Sequence, residues 1–71
     1  MTDIKAHITG TIWKIKVNAG DKVDEGDVLV IIESMKMEMP VETDDPGVVK
    51  EIAVKEGQPV NEGDLLLTLD E

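Results

Sequence analysis

Lys36 lies between Met35 and Met37 and is the residue of this chain whose position most suggests chemistry. A lysine amine is protonated at neutral pH and is a weak nucleophile, and no base in the sequence is obviously placed to activate it. His7 and Ser34 do not form a base and nucleophile with a third orienting group, as a self-contained enzyme would need. We therefore expect no catalytic residues and interpret Lys36 as an amine that another protein acylates.

Methionines occur at every second position over residues 35–39, beside this amine. In a strand, the alternation would place the methionines inward and the intervening polar residues outward. The alternative is that the methionines lie at a hairpin tip, where Asn, Gly or Asp is usual. Exposed thioethers are poor turn residues but make a good contact surface for a partner enzyme, and we favour this second interpretation.

The chain contains an internal repeat that brackets Lys36. Shifting the sequence by 37 positions aligns residues 10–33 with residues 47–70 without a gap, and nine of the 24 aligned pairs are identical. Solenoids normally need at least three copies to bury a continuous core. Two copies in a chain of 71 residues therefore predict one closed domain, residues 1–71, with internal two-fold symmetry.

Strands and turns are predicted throughout, because no window keeps apolar residues at helical spacing for long enough to indicate a helix. Residues 12–17 alternate around Trp13, Ile15 and Val17, which we expect to face inward. Two more continuously apolar runs contribute the expected core residues: Val28, Val30 and Ile32 in the first, and Leu65, Leu67 and Leu69 in the second. Turns that favour positive φ are marked by Gly20, Gly26, Gly57 and Gly63.

The composition limits both the partners and the means of stabilisation. There is no cysteine, and His7 is the only histidine, so disulfides and a zinc site are excluded and stability must come from aliphatic packing. The net charge of -9 opposes binding to nucleic acid and to anionic lipid surfaces. The first residues contain no apolar run of the length that a signal peptide or a membrane span requires. We expect a cytoplasmic monomer that binds neither nucleic acid nor membranes.

Residues 33–38, Glu-Ser-Met-Lys-Met-Glu, closely resemble the biotin-attachment motif of biotinyl domains, usually written Glu-Ala-Met-Lys-Met. The resemblance extends over nearly the whole chain, through residues 20–23 and 26–29 before the lysine and residues 46–49 and 60–64 after it. In size the chain is similar to the small free-standing biotin/lipoyl attachment proteins of bacteria. The resemblance implies an all-β fold. This would be a flattened eight-strand barrel or sandwich of two four-stranded antiparallel sheets with pseudo-two-fold symmetry and the attachment lysine on an exposed hairpin.

The resemblance also implies a carrier function. A biotin protein ligase would supply activated biotin and form an amide with Lys36, and Met35 and Met37 would be contacts for recognition by the ligase. Glu33 and Glu38 are secondary recognition candidates, with a solvated flank as the alternative for both. The tethered biotin would carry a carboxyl group from a biotin carboxylase to a carboxyltransferase, and tethering makes each visit effectively intramolecular.

Three other interpretations stay open. A lipoyl carrier of a 2-oxo acid dehydrogenase-type complex would share the fold, but lipoyl domains typically read Asp-Lys-Ala where this chain has methionines around Lys36. An acyl carrier with phosphopantetheine on Ser34 would suit the acidity and size, but such carriers are helical and read Asp-Ser-Leu. A structural adaptor would leave Lys36 unmodified. Two departures from the family pattern are Ser34 in place of the motif's common alanine and the lack of the thumb insertion found in some acetyl-CoA carboxylase carriers.

Overall fold

Eight short β-strands separated by tight turns make up residues 1–70, the part of the chain that the computed structural model describes. Branched aliphatic residues suit these strands because their stiff side chains pack well on a pleated surface. The strands are β1 (Thr2–Lys5), β2 (Gly10–Ile15), β3 (Lys22–Val23), β4 (Val28–Ser34), β5 (Met37–Glu42), β6 (Gly47–Ile52), β7 (Pro59–Val60) and β8 (Leu65–Asp70). Across these residues we find no helix with the length and apolarity needed to cross a membrane.

The strands form two four-stranded antiparallel sheets, which confirms the predicted fold class. Sheet I has the strand order β5-β4-β2-β7, and sheet II has the order β1-β8-β6-β3. Each half of the chain contributes one short strand to a long strand of the other half. β3 of the first half pairs with β6 in sheet II, and β7 of the second half pairs with β2 in sheet I. Neither sheet is therefore complete without a strand from the other half of the sequence.

The two sheets have the same pairing register at the 37-residue offset of the sequence repeat. In sheet I Thr11 pairs with Glu33, and in sheet II Val48 pairs with Asp70. The remaining partners of these strands and the backbone hydrogen bonds of the turns follow the same offset. All four predicted turn glycines have positive φ. The repeat is thus visible as internal two-fold symmetry of the structure.

An aliphatic core fills the space between the sheets. Its buried residues are Ala6, Ile12, Val17, Val23, Leu29, Val30, Ile32, Val41, Val49, Val54, Val60, Leu66, Leu67 and Leu69. The buried hydroxyl of Thr43 donates to the Asp45 carbonyl at 2.7 Å and accepts from the Asp45 amide at 3.1 Å. Within residues 1–70, no buried side-chain polar atom lacks a hydrogen-bond partner.

The core departs from the predicted strand faces where the strands contain β-bulges. Leu29 and Leu66 are fully buried, whereas Val28 is half-buried and Leu65 is 39% exposed. In β4 the register against β5 shifts between Val28 and Val30, and β8 shifts against β1 at the equivalent place. A bulge adds one residue and turns two successive side chains to the same side. The assignment of Val28 and Leu65 to the core is therefore wrong, because strict alternation does not count the extra residue.

A second pair of bulges turns Trp13 outward. The register of β2 against β4 shifts between Ile12 and Lys14, and that of β6 against β8 shifts between Val49 and Glu51. Ile12 is fully buried, whereas Trp13 is 41% exposed. The prediction that Trp13 faces inward is wrong, and Ile12 takes its place in the core.

Gly10 allows β2 and β4 to approach closely near the end of β4 that leads to Lys36. A Cβ atom at position 10 would overlap the backbone carbonyl oxygen of Glu33. At the equivalent position in sheet II, a Cβ atom on Gly47 would lie 2.9 Å from the carbonyl oxygen of Asp70. Backbone atoms cannot rotate away as a side chain can, so a methyl group at position 10 must separate the two strands.

We predict that Gly10→Ala lowers the free energy of unfolding by about 1–3 kcal/mol, as overpacking of a close contact does. Gly47→Ala serves as the matched control and should cost less, because its contact is longer. Urea denaturation at equilibrium measures both values. Equal stability of Gly10→Ala and the wild type would contradict the close approach.

Candidate functional site

A two-residue turn places Lys36 at the tip of the hairpin formed by β4 and β5. Ser34 pairs with Met37 and thereby encloses Met35 and Lys36 as the two turn residues. Their φ angles are 52° and 65°, and positive φ at both positions defines a type I′ turn. The twist of this turn matches the right-handed twist of the flanking strands, so the hairpin extends sheet I into solvent. Lys36 is accordingly exposed.

The backbone of this turn is strained. Left-handed backbone costs a residue that carries Cβ about 1–2 kcal/mol, and Asn-Gly is the sequence that usually relieves that cost in a type I′ turn. Among residues 1–70, Met35 and Lys36 are the only non-glycine residues with positive φ. Strained residues persist where the surrounding structure holds them, and they cluster at functional sites. The conformation thus supports a functional interpretation of the turn.

The two methionines beside Lys36 lie on the surface. The side chain of Met35 is 91% exposed and that of Met37 is 63% exposed, whereas Met39 is half-buried. The alternative in which all three methionines point inward is therefore wrong for the first two. Two flexible thioethers flank the amine where an approaching protein would meet them.

Glu33 and Glu38 form a directly opposed cross-strand pair immediately below the tip. Both side chains are exposed, and like charges that face each other across an antiparallel pair are destabilising. The pair gives the base of the hairpin a local negative charge. Basic groups on a partner would relieve this repulsion, so the geometry is compatible with the predicted recognition role, which itself stays a prediction.

Ser34 has a structural role that its small size did not indicate. Its hydroxyl donates a hydrogen bond of 2.8 Å to the backbone carbonyl of Thr9. The hydroxyl of Thr9 in turn accepts from the backbone amide of Glu62 at 3.2 Å. Ser34 thus ties the hairpin to the loop that contains Thr9, and this loop is in turn bonded to the turn at Glu62. Alanine at position 34 would lack the tie to Thr9. The hydroxyl in place of the motif's usual methyl group was the signal in the sequence.

The Lys36 side chain is exposed at the hairpin tip and lines neither of two grooves on the surface. Two open grooves, of about 360 and 580 Å³, lie along the edges of β1 and β5 and beside β3 and β6, and residues 34–37 line neither of them. His7 lines the first groove. In the part of the chain that the structure describes, no three His, Asp or Glu side chains are grouped so as to hold a metal ion. The arrangement therefore suits a side chain that other proteins act upon.

Comparison with known proteins yields both a family and individual relatives. The profile of the Biotin_lipoyl family, described as "Biotin-requiring enzyme", matches residues 1–69. The chain is 48% identical over 48 residues to the "Biotin/lipoyl attachment protein" of Bacillus subtilis (strain 168), a match that covers 68% of this chain and 66% of the relative. It is 51% identical over 39 residues to "Biotinylated protein TB7.3" of Mycobacterium tuberculosis (strain ATCC 25618 / H37Rv), covering 55% of each chain.

A solved structure supports the fold over almost the full length of the chain. The urea carboxylase of Kluyveromyces lactis contains a region that superposes with a TM-score of 0.92 at 38% identity, covering 97% of this chain and 6% of that enzyme. The chain is thus similar to one small part of a large carboxylase, and it spans roughly half to two thirds of the curated relatives it matches.

We predict that replacing Met35-Lys36 by Asn-Gly raises the free energy of unfolding by about 1–3 kcal/mol, because the left-handed backbone is then unstrained. Met37→Asn is the control, since Met37 lies in β5 outside the turn, and it should not stabilise the protein. Equilibrium urea denaturation distinguishes the two. A double variant no more stable than the wild type would show that the turn stores no strain.

We predict that Ser34→Ala lowers the free energy of unfolding by about 1 kcal/mol, the usual contribution of one hydrogen bond. The loss should be concentrated in faster amide hydrogen exchange at Ser34 and its strand neighbours, because the tie to Thr9 is lost. Ser34→Thr keeps the hydroxyl and should retain most of the protection. Unchanged exchange in Ser34→Ala would contradict the role of the hydroxyl.

Proposed function

The chain belongs to the biotin/lipoyl attachment family, and from that premise we propose that it is a biotin carboxyl carrier whose biotin is attached to Lys36. The observation that supports this most is the exposed amine at a strained two-residue tip, between two exposed methionines. An amine in this position is open to an enzyme from several directions. The relatives include a protein named for its biotinylation and a carboxylase.

Attachment needs little from the carrier beyond an accessible amine. The deprotonated Nζ of Lys36 would attack the acyl carbon of a biotinyl-adenylate held by a biotin protein ligase. A C–N amide bond forms, the bond from the acyl carbon to the phosphate oxygen breaks, and AMP leaves. Because no base of the carrier is assigned to the proton of Lys36, the ligase would accept it. Met35 and Met37 would contact the ligase, and Glu33 and Glu38 would be secondary contacts.

The carrier would then position its cofactor and leave the chemistry to its partners. When bound, biotin supplies a ureido nitrogen that accepts and releases a carboxyl group. The chain would hold that group on a rigid hairpin above an aliphatic core, and it would visit a biotin carboxylase and a carboxyltransferase in turn. The chain itself would be non-catalytic, and its assignment as a single-domain cytoplasmic monomer stays a prediction.

The structure bears differently on the alternatives. A lipoyl carrier has the same fold, and the exposed Met35 and Met37 together with the biotin-linked relatives favour biotin over lipoate. A helical acyl carrier does not fit, because residues 1–70 are built of strands and turns and the Ser34 hydroxyl already donates to Thr9. An adaptor with unmodified Lys36 would fit the fold but would leave the strained turn unexplained.

We predict one biotin on the wild-type chain after incubation with a biotin protein ligase, ATP and biotin, and none on Lys36→Arg. Intact mass spectrometry gives the number of adducts, and peptide mapping gives the residue. Lys16→Arg is the control, because this exposed lysine lies outside the hairpin, and it should be modified as fully as the wild type. Lipoate on Lys36 in protein from its own cells would favour the alternative cofactor, and no adduct at all would favour the adaptor.

A further inference from the structure

The two sheets have the same backbone register but different outer surfaces. We propose that the outer face of sheet I is a docking face for the ligase that acylates Lys36, with Trp13 as its central contact. The inference rests on the proposed function and goes beyond the motif around the lysine. It is based on a comparison that the internal symmetry allows, since the residues around Trp13 in sheet I have equivalents in sheet II.

Trp13 is the only aromatic residue of the chain, and it is exposed. The bulge in β2 turns it outward beside Lys14, whose Nζ lies 5.6 Å from the centre of the indole ring. The equivalent residue in sheet II is Lys50, which is also exposed. The fold therefore accepts a lysine at this position, and core packing does not require a tryptophan. Tryptophan is one of the three residue types enriched among the energetic anchors of protein interfaces, with tyrosine and arginine.

The neighbouring cross-strand row has the same asymmetry. In sheet I Lys14 pairs with half-buried Ile31, which pairs with exposed Pro40. The equivalent row of sheet II is a glutamate, a threonine and an aspartate: Glu51, Thr68 and Asp3. One pair differs in the opposite sense, because Thr11 of sheet I corresponds to the more apolar Val48. Lys14 and Glu51 are both charged. At the other three positions sheet I has the apolar residues Trp13, Ile31 and Pro40, and sheet II has the polar or charged residues Lys50, Thr68 and Asp3.

The apolar residues Ile31 and Pro40 lie on the same two strands as the attachment hairpin. β4 and β5 carry the turn at one end and Ile31 and Pro40 further along, in one unbroken register. Between the two lies the acidic pair Glu33 and Glu38. A complementary partner would therefore have an apolar patch for Trp13 and Ile31 and basic side chains against the two glutamates. Together with a net charge of -9, this favours a partner surface rich in Lys or Arg.

The ligase is the partner that this placement favours. The ligase must bring Nζ of Lys36 into bonding distance of the acyl donor, and no linker separates the two. The sheet that carries the hairpin therefore contacts the surface of the ligase. The chain has seven lysines, and the ligase must distinguish Lys36 from the other six. The Met-Lys-Met sequence alone is a short recognition motif for this purpose. A rigid face at a fixed distance from the tip would add a second point of recognition. Carboxylase sites, by contrast, meet the tethered group at the end of a flexible arm.

The test exchanges residues between symmetric positions. Trp13→Lys and Ile31→Thr copy the residues of sheet II onto sheet I, and Lys50→Trp is the matched control. The double variant Trp13→Lys/Lys50→Trp keeps composition and net charge and moves only the indole. Each chain is incubated with a biotin protein ligase, ATP and biotin, and initial rates of biotin incorporation are measured. We expect Trp13→Lys and the double variant to lose at least tenfold in kcat/KM through KM, and Lys50→Trp to match the wild type.

A direct binding measurement accompanies the rates. In ¹⁵N-labelled Lys36→Arg, which the ligase can bind but not acylate, the single indole N–H signal should shift or broaden when unlabelled ligase is added. Ile31→Thr should also raise KM for biotin incorporation, and this variant tests the docking face independently if Trp13→Lys does not fold.

The outcomes separate the inference from the function on which it rests. A wild type that takes up no biotin overturns both. Normal biotinylation of Trp13→Lys and Ile31→Thr, or an unchanged indole signal, overturns the docking face alone. Equal losses of kcat/KM in Lys50→Trp and Trp13→Lys also overturn the docking face. Variants that are biotinylated normally but fail in carboxyl transfer would overturn it too, and would assign this face to the carboxylase.

Discussion

Aliphatic packing between the two sheets is the interaction on which the rest of the structure depends. The buried residues are alanine, valine, isoleucine and leucine, apart from the satisfied hydroxyl of Thr43. With no cysteine in the chain, these side chains must hold the register of every strand. The left-handed backbone of Met35 and Lys36 can exist only because β4 and β5 are fixed beneath it. The packing of the core thus maintains a turn whose positive φ angles are unfavourable for methionine and lysine.

Internal symmetry makes the functional departures recognisable. A duplicated scaffold provides its own reference, because each position of one half shows what the fold tolerates in the other. Trp13 and Ile31 are places where the first half differs from the second, which has Lys50 and Thr68 at the equivalent positions. Both lie on sheet I. When a residue differs from its symmetric equivalent and core packing does not require the difference, a contact with another molecule explains that difference better than folding does.

The sequence was sufficient for the general plan but not for every face of the strands. The repeat and the glycine turns predict a closed domain of strands with two-fold symmetry. The family resemblance around Lys36 implies the two four-stranded sheets and the exposed hairpin. Strict alternation predicts that Trp13 faces inward because it does not include bulges, although the charged repeat partner Lys50 indicates an outward position. For the same reason strict alternation does not place Leu29 and Leu66 in the core. A bulge is set by how two strands meet, and the opposition of Glu33 and Glu38 depends on that same pairing.

The exchange of β3 and β7 between the sheets bears on when the proposed acylation of Lys36 could take place. Sheet I receives its fourth strand, Pro59–Val60, from a part of the chain synthesised well after Lys36. During translation, the lysine emerges on a hairpin whose supporting layer is still unfinished, and small domains of this kind fold as a unit. An enzyme that reads the completed surface would ignore nascent and misfolded chains. Acylation would then act as a checkpoint, marking only molecules that have finished folding.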